Sequence, residues 1–194
     1  MVALNKPGTA TYEDVLAAPE HMVAEILNGE LVLSPRPAFR HARASTRFVS
    51  ALDPFDREPG ADDPGGWHIL IEPEIHFAHQ SRQVLVPDLA GWRRERMPEV
   101  PDVPWLDLAP DWVCEVASPS TQRHDRIIKS AIYLEAHVRW MWLVTPATAT
   151  IEVLEAAPDF ARWTLVTSAV GPEARRLQPF DAIELDVERI WSMR

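Results

Sequence analysis

The chain has 194 residues, a hydrophobic fraction of 46%, one cysteine and a formal net charge of −10 at pH 7. This length predicts a single domain, residues 1–194 with a core over roughly 12–191, and no apolar run reaches the roughly 18 residues of a membrane span. The N-terminus lacks a signal-peptide pattern, and the lone Cys114 excludes an internal disulfide. We expect a cytoplasmic protein without a membrane segment, and the charge disfavours tight nonspecific DNA binding unless a local basic patch exists.

A short helix over 11–18 and a β-hairpin are the first predicted elements. Two apolar runs flank Asn28-Gly29, which supplies the positive φ angles that a two-residue type I′ turn requires. In this register Leu27 lies opposite Glu30. Glu25 and Glu30 therefore lie on the same side of the hairpin.

The next predicted elements are a helix over 40–52, a loop over 53–66 and two strands. The first strand spans 68–77, and its alternation places five residues on one face. The second spans 84–92 and contains Pro87, which predicts an edge position or a bulge because proline cannot donate a ladder hydrogen bond. The shared face of the first strand consists of Ile69, Ile71, Pro73, Ile75 and Phe77.

The second half alternates strands with a helix. A nearly all-apolar strand over 111–117 is typical of a strand covered on both faces. Capping residues at 118–121 begin a helix that runs to about His137. Its predicted buried stripe is Ile127, Ile128, Ala131, Ile132 and Leu134. Strands at 140–145, 150–155 and 162–168, the last two antiparallel, precede a short element ending in Ile190 and Trp191, so we predict an α/β fold with a central sheet flanked by helices.

Two acids near strand ends are the main chemical signal. Asp88 follows Pro87, and Glu115 interrupts the apolar run Trp112 to Ala117. A carboxylate in a buried strand is costly unless it is paired or bound to a metal. Mg²⁺ takes oxygen ligands and needs only one or two carboxylates, so Asp88, Glu115 and the carbonyl of Val116 are predicted metal ligands. Such a site predicts hydrolysis, and we expect a phosphodiester as the substrate.

Lys129 is the predicted catalytic lysine. The strand runs three residues beyond Glu115, about 10 Å, and the helix then returns eight residues to Lys129, about 12 Å. The two distances nearly cancel, so Lys129 returns to the level of Glu115. A lysine there would orient the attacking water or stabilise developing negative charge.

These motifs resemble the Uma family of restriction-endonuclease-like proteins, within the PD-(D/E)XK nuclease superfamily, over roughly Tyr12 to Trp191. The resemblance implies a restriction-endonuclease-like fold with a central mixed sheet, and DNA cleavage dependent on Mg²⁺, with Mn²⁺ as a substitute. The motif lysine normally follows the second acid by two residues, where Ala117 stands, and a lysine displaced onto the next helix is a known variation that Lys129 would represent. The matching stretches are 25–31, the His41 helix, 86–88, 115–121, Asp125 through Lys129 to Tyr133, and 142–144.

Further site residues are predicted around this centre. Glu25 and Glu30 are both candidates for the extra catalytic acid that such nucleases draw from an N-terminal element. His41 could bind substrate phosphate, with an ordinary surface histidine as the alternative. Ser118, Ser120 and Thr121 could donate to a phosphate at the helix N-terminus, with plain capping as the alternative.

Other interpretations of these residues remain open. Glu115 could form a structural salt bridge to Arg126 or Lys129, and Lys129 could pair with Asp125 at i,i+4 spacing. The fold could serve as a binding module with reduced or lost chemistry, or the site could hydrolyse a small phosphate ester. We expect DNA as the partner, and a homodimer because the Trp-rich and Pro-rich segments exceed what a small core needs.

Overall fold

The strands form two sheets in the computed structural model, which describes residues 2–3, 8–60, 64–77, 83–117 and 124–192. In chain order the strands are β1 (Val2–Ala3), β2 (Met22–Leu27), β3 (Glu30–Pro35), β4 (Trp67–Ile71), β5 (Ile75–His76), β6 (Val84–Leu85), β7 (Leu89–Arg93), β8 (Trp112–Val116), β9 (Trp140–Thr145), β10 (Thr150–Ala156) and β11 (Trp163–Val170). The helices are α1 (Tyr12–Leu16), α2 (Phe39–Leu52), α3 (Ser130–Glu135), which continues a π-helical turn at His124–Lys129, and α4 (Val187–Trp191).

The larger sheet is mixed and has the order β11-β10-β9-β8-β7-β4. Among the described strand pairs of this sheet, β8–β9 alone is parallel. A parallel pair needs a long crossover, and the segment between these strands contains the π-helical turn and α3. The smaller sheet has the order β1-β3-β2-β6-β5. The predicted α/β fold with a central mixed sheet and flanking helices is confirmed.

Each face of the larger sheet packs against different elements. On one face, Trp112, Cys114 and Val116 of β8 join a core with α2 and α4. On the other face, Val113 joins a core with α3 and with residues of the smaller sheet. Since side chains alternate along a strand, Glu115 points to the same side as Val113, toward α3 and the hairpin.

The hairpin forms as predicted. Asn28 and Gly29 have φ angles of 54° and 78°, the left-handed region that a type I′ turn requires. Leu27 pairs with Glu30, and Glu25 pairs with Val32. The predicted register is therefore confirmed.

The two long strands predicted between 68 and 92 are each broken. Glu72, with φ of 47°, separates β4 from β5, and these strands belong to different sheets. The segment 86–88 likewise separates β6 from β7. Ile71 is 54% exposed, so the predicted continuous apolar face is wrong. Pro87 marks a change of sheet, where its missing N–H costs no ladder bond.

The predicted buried stripe of the second long helix is confirmed at Ile132 and wrong at Ile127 and Ala131. Ile127 is 61% exposed, whereas Lys129 and Tyr133 are buried. The cause is the π-helical turn, whose i to i+5 hydrogen bonds rotate the following residues away from α-helical periodicity. Among the described residues no helix has the length and apolarity needed to cross a bilayer.

Tryptophans supply much of the core. Trp67, Trp92, Trp112 and Trp142 are fully buried, which accounts for half of the eight in the chain. The tryptophan content therefore does not in itself require a partner surface, and homodimerisation stays a prediction.

Gly91 provides a test of this core. A Cβ atom at Gly91 would lie 3.1 Å from Trp112 Cε3 and 3.3 Å from Trp67 Cε3. We expect Gly91→Ala to lower the free energy of unfolding by about 1–3 kcal/mol through overpacking, measured by urea denaturation. Gly60→Ala is the control because a Cβ there meets nothing within 4 Å; equal stability of the two variants would contradict the packing.

Candidate active site

A buried cluster of charged groups joins the two sheets. Lys129 Nζ lies 2.9 Å from Glu25 Oε1 and 3.3 Å from Glu115 Oε1. Glu25 belongs to β2, Glu115 to β8, and Lys129 ends the π-helical turn. The exposed fractions of Glu25, Lys129 and Glu115 are 4%, 6% and 2%. The predicted return of Lys129 to the level of Glu115 is thus seen as a direct contact.

The carboxylate of Glu115 has a second buried partner. The Tyr133 hydroxyl donates to Glu115 Oε1 at 2.6 Å, and Tyr133 is fully buried. Lys129 and Tyr133 are four residues apart across the junction of the π-helical turn and α3, so both reach the same acid. Tyr133 was not among the predicted site residues, although its spacing from Lys129 was the signal that would have identified it.

Asp88 lies beside this cluster, at the start of β7. Leu89 pairs with Cys114 in the antiparallel ladder, so the same register carried one residue further places Asp88 opposite Glu115. The Val116 amide donates to Asp88 Oδ2 at 2.6 Å. His41 Nε2 of α2 lies 2.6 Å from Asp88 Oδ1, so the carboxylate connects a helix to the central sheet.

The structure brings most of the predicted site residues together. Asp88, Glu115, Lys129, Glu25 and His41 are linked directly or through a shared backbone contact. The contact made by Val116 is through its amide, and its carbonyl remains a predicted ligand.

The remaining predicted residues stand apart. Glu30 is partly exposed beside the turn, and its side chain forms no hydrogen bond or ion pair with another described residue. Ser118, Ser120 and Thr121 lie outside the described residues, as does the side chain of Asp125. Arg126 pairs with Glu152 rather than Glu115.

A second acid-backbone contact fixes Glu25. The Val86 amide donates to Glu25 Oε1 at 2.9 Å. Val86 belongs to the segment that crosses between the sheets just before Asp88. Glu25 therefore holds both the crossing segment and Lys129. Glu30, on the same face of the hairpin, makes neither contact.

The negative charge of the site reaches Cys114. Burial raises the pKa of the Cys114 thiol well above its usual range, and the nearby charges of Asp88 and Glu115 raise it further. The thiol is fully buried on the α2 side of β8. Cys114 is therefore a neutral core residue and not a nucleophile.

Whether the site suits Mg²⁺ depends on the oxygen ligands that its residues offer. Asp88 and Glu115 offer the hard oxygen atoms that Mg²⁺ takes as ligands, and Glu115 Oε1 also accepts from Lys129 and Tyr133. No group of three or more His, Cys, Asp or Glu among the described residues is arranged to hold a metal ion. A Mg²⁺ ion here would have two carboxylates and would need a carbonyl, water or substrate to complete its ligands, so magnesium stays a prediction.

A family model described as "Putative restriction endonuclease", Uma2, matches residues 10–188. The chain belongs to the Uma2 family. This confirms the predicted membership and supports a nuclease-type protein. No curated protein matches the chain.

The fold of this Uma2 protein is similar to that of a solved structure. That structure is described as a putative nuclease belonging to DUF820 from Anabaena variabilis ATCC 29413, and the TM-score is 0.69 at 19% sequence identity. The similarity covers 94% of this chain and 97% of the other. At this identity the likeness shows a shared fold.

Tyr133→Phe tests the second partner of Glu115. We expect the loss of a hydrogen bond to a buried charged group to lower the free energy of unfolding by about 1.5–3 kcal/mol. In a double-mutant cycle with Glu115→Gln, the coupling should be about 0.5–3 kcal/mol. Tyr12→Phe, which removes a hydroxyl bonded to Glu74, should show no coupling to Glu115→Gln. Equal coupling for both tyrosines would contradict the contact.

The raised pKa of Cys114 predicts a pH dependence of stability. In the unfolded chain the thiol titrates near about 8.5, while in the folded protein it keeps its proton to higher pH. The contribution of the thiol to the free energy of unfolding is therefore complete below about pH 8.5. It is lost as pH rises, because the unfolded state releases the thiol proton while the folded state keeps it. Wild type should lose about 1.4 kcal/mol per pH unit relative to Cys114→Ala above about pH 8.5. Urea denaturation across this range would refute the assignment if the difference stayed constant.

Proposed function

We propose that this protein is a Mg²⁺-dependent endonuclease that hydrolyses phosphodiester bonds in DNA. The observation that carries the proposal is the convergence of Lys129 on Glu25 and Glu115, at 2.9 Å and 3.3 Å, beside Asp88. A lysine and acids from three separate elements meet there, and the PD-(D/E)XK resemblance implies a site built from such residues. The Uma2 membership and the nuclease-like fold support the same conclusion.

The residues take distinct roles in this proposal. Asp88, Glu115 and the Val116 carbonyl would hold Mg²⁺, whose chemistry when bound is Lewis-acid activation of a phosphoryl group. Lys129 Nζ donates hydrogen bonds and stabilises the negative charge that develops on the phosphate oxygens. Glu25 and Tyr133 position Lys129 and Glu115. His41 holds Asp88 in place and can meet a substrate phosphate.

The charge balance of the cluster favours a cation. Three carboxylates, those of Glu25, Glu115 and Asp88, lie around the single ammonium group of Lys129, and His41 contacts Asp88. This excess of negative charge lies in a site of low dielectric, where a divalent cation is attracted more strongly than in water. The same excess of negative charge repels a phosphate unless a metal ion is bound first, so we expect cleavage to depend on metal.

One observation favours the alternative of a binding module with reduced chemistry. The three charged side chains are at least nine-tenths buried, and Glu115 is already bonded to Lys129 and Tyr133. Such a closed cluster could hold the two sheets together without reaching substrate. Ala117 at the usual lysine position is consistent with that reading. The two functions make opposite predictions about metal and DNA.

The deciding experiment is cleavage of supercoiled plasmid DNA with Mg²⁺, Mn²⁺ or EDTA. We expect metal-dependent nicking by wild type, abolished in Glu115→Gln and Asp88→Asn. Lys129→Met should lower the rate by about 10²–10³ because a group that stabilises the transition state is lost. Mn²⁺ titration by calorimetry should show binding to wild type and not to Glu115→Gln.

Glu152→Gln is the matched control. Glu152 is also a strand acid paired with a basic residue of the same helical segment, Arg126, but it lies outside the cluster. The Glu152→Gln variant should cleave DNA at the rate of wild type. Circular dichroism checks that every variant is folded. If Lys129→Met is unfolded, Lys129→Arg replaces it in the cleavage assay because arginine keeps the buried positive charge. Absence of metal binding in wild type, with equal behaviour of Glu115→Gln and Glu152→Gln, would favour the binding module.

A further inference from the structure

One stretch of this acidic chain carries only positive charge. The whole sequence has a net charge of −10, yet residues 31–52 contain four arginines and no aspartate or glutamate. This stretch includes α2, the helix that brings His41 to Asp88. The four arginines are Arg36, Arg40, Arg43 and Arg47.

Three of these arginines share a face of α2. Arg40, Arg43 and Arg47 follow one another at spacings of three and four residues, which place side chains along one side of an α-helix. Ala44, Phe48 and Leu52, on a different face, are buried against the central sheet. The arginines therefore form a row about 10 Å long on the part of the helix that is not in the core.

A fourth arginine, from α4, extends the row. Partial desolvation lowers the pKa of Arg47, and the like charges of Arg43 and Arg189 lower it further, so each of these two guanidinium groups lies close enough to repel that of Arg47. Arg47 Nε is buried with no hydrogen-bond partner among the described residues. A polyanion would relieve this repulsion.

The first arginine of the row is the chain neighbour of a residue of the candidate active site. His41 lies between Arg40 and Arg43 in sequence, and its ring contacts Asp88 at 2.6 Å. A polyanion bound along Arg40, Arg43 and Arg47 would therefore pass within one helical turn of His41.

We propose that Arg40, Arg43, Arg47 and Arg189 form an arginine row that binds the phosphate backbone of DNA and directs the strand to Asp88 and Glu115. This inference rests on the proposed nuclease function and names the surface that holds its substrate. The row gives an acidic protein the local positive charge that backbone contacts require. The remaining acidic surface repels DNA, so binding is confined to this face.

The test is the salt dependence of binding to duplex DNA, measured by fluorescence anisotropy in EDTA. Each phosphate contact contributes about 0.9 to the slope of log K against log salt concentration. Arg40→Gln/Arg43→Gln/Arg47→Gln should therefore lower the magnitude of the slope by about 2–3 and weaken binding at least about tenfold. The same variant should raise KM for plasmid cleavage with Mg²⁺.

Matched variants separate charge from folding. Arg57→Gln/Arg162→Gln/Arg175→Gln makes the same charge change at residues outside the row, and should leave the slope unchanged. Arg40→Lys/Arg43→Lys/Arg47→Lys keeps the charge and should retain most of the slope. Loss of the slope in a folded lysine variant, or equal slopes for the two glutamine variants, would overturn the arginine row.

The outcomes also distinguish this inference from the proposed function. If wild type cleaves DNA but the glutamine variants bind alike, the arginine row is wrong and the nuclease remains. If wild type neither binds nor cleaves DNA, both fail. If substitution of the arginine row by glutamine lowers the slope but wild type never cleaves DNA, the DNA-binding inference stands and the proposed nuclease activity fails.

Discussion

A buried lysine between two carboxylates is the constraint on which the arrangement of this protein depends. Lys129 is 6% exposed, and an ammonium group so far from water is tolerated only when it is paired. Its partners come from different sheets, Glu25 from the hairpin and Glu115 from the central strand. The ion cluster therefore specifies how the smaller sheet docks on the larger one, in addition to the apolar core between them.

The same constraint links structure to chemistry through the crossing segment 86–88. Its first residue is tied to Glu25, and its last, Asp88, is tied to Val116 and His41. The chain changes sheet at this point, and Asp88 is held both by its backbone carbonyl, which accepts from the Glu72 amide at 3.1 Å, and by the contacts of its side chain. A strand break is what allows one carboxylate to face both α2 and the neighbour of Glu115.

Local sequence rules predict the elements whose geometry is local. The hairpin register follows from Asn28-Gly29 because that turn requires two residues that readily adopt the left-handed backbone conformation. Asp88 and Glu115 are recognisable because acids in apolar strands need partners, and Lys129 because its helix returns it to the level of Glu115. The break at Glu72 escaped prediction because the alternation continues across it, while the choice of sheet depends on tertiary packing. Periodicity likewise could not separate Glu25 from Glu30, since both share a face and only Glu25 meets Lys129.

The wide turn at His124–Lys129 makes the length of this segment as important as its composition. The Ser130 hydroxyl donates to the Arg126 carbonyl at 2.7 Å, and Trp163 Nε1 donates to the Ser130 carbonyl at 2.9 Å, so the irregular turn is anchored from within and from β11. Deleting one residue would restore regular α-helical geometry. Since Lys129 directly precedes α3, a deletion before it would rotate the preceding residues by about 100° relative to Lys129 and α3, and so change how the chain enters from β8. Among related chains, insertions and deletions should therefore fall on either side of this turn and not inside it.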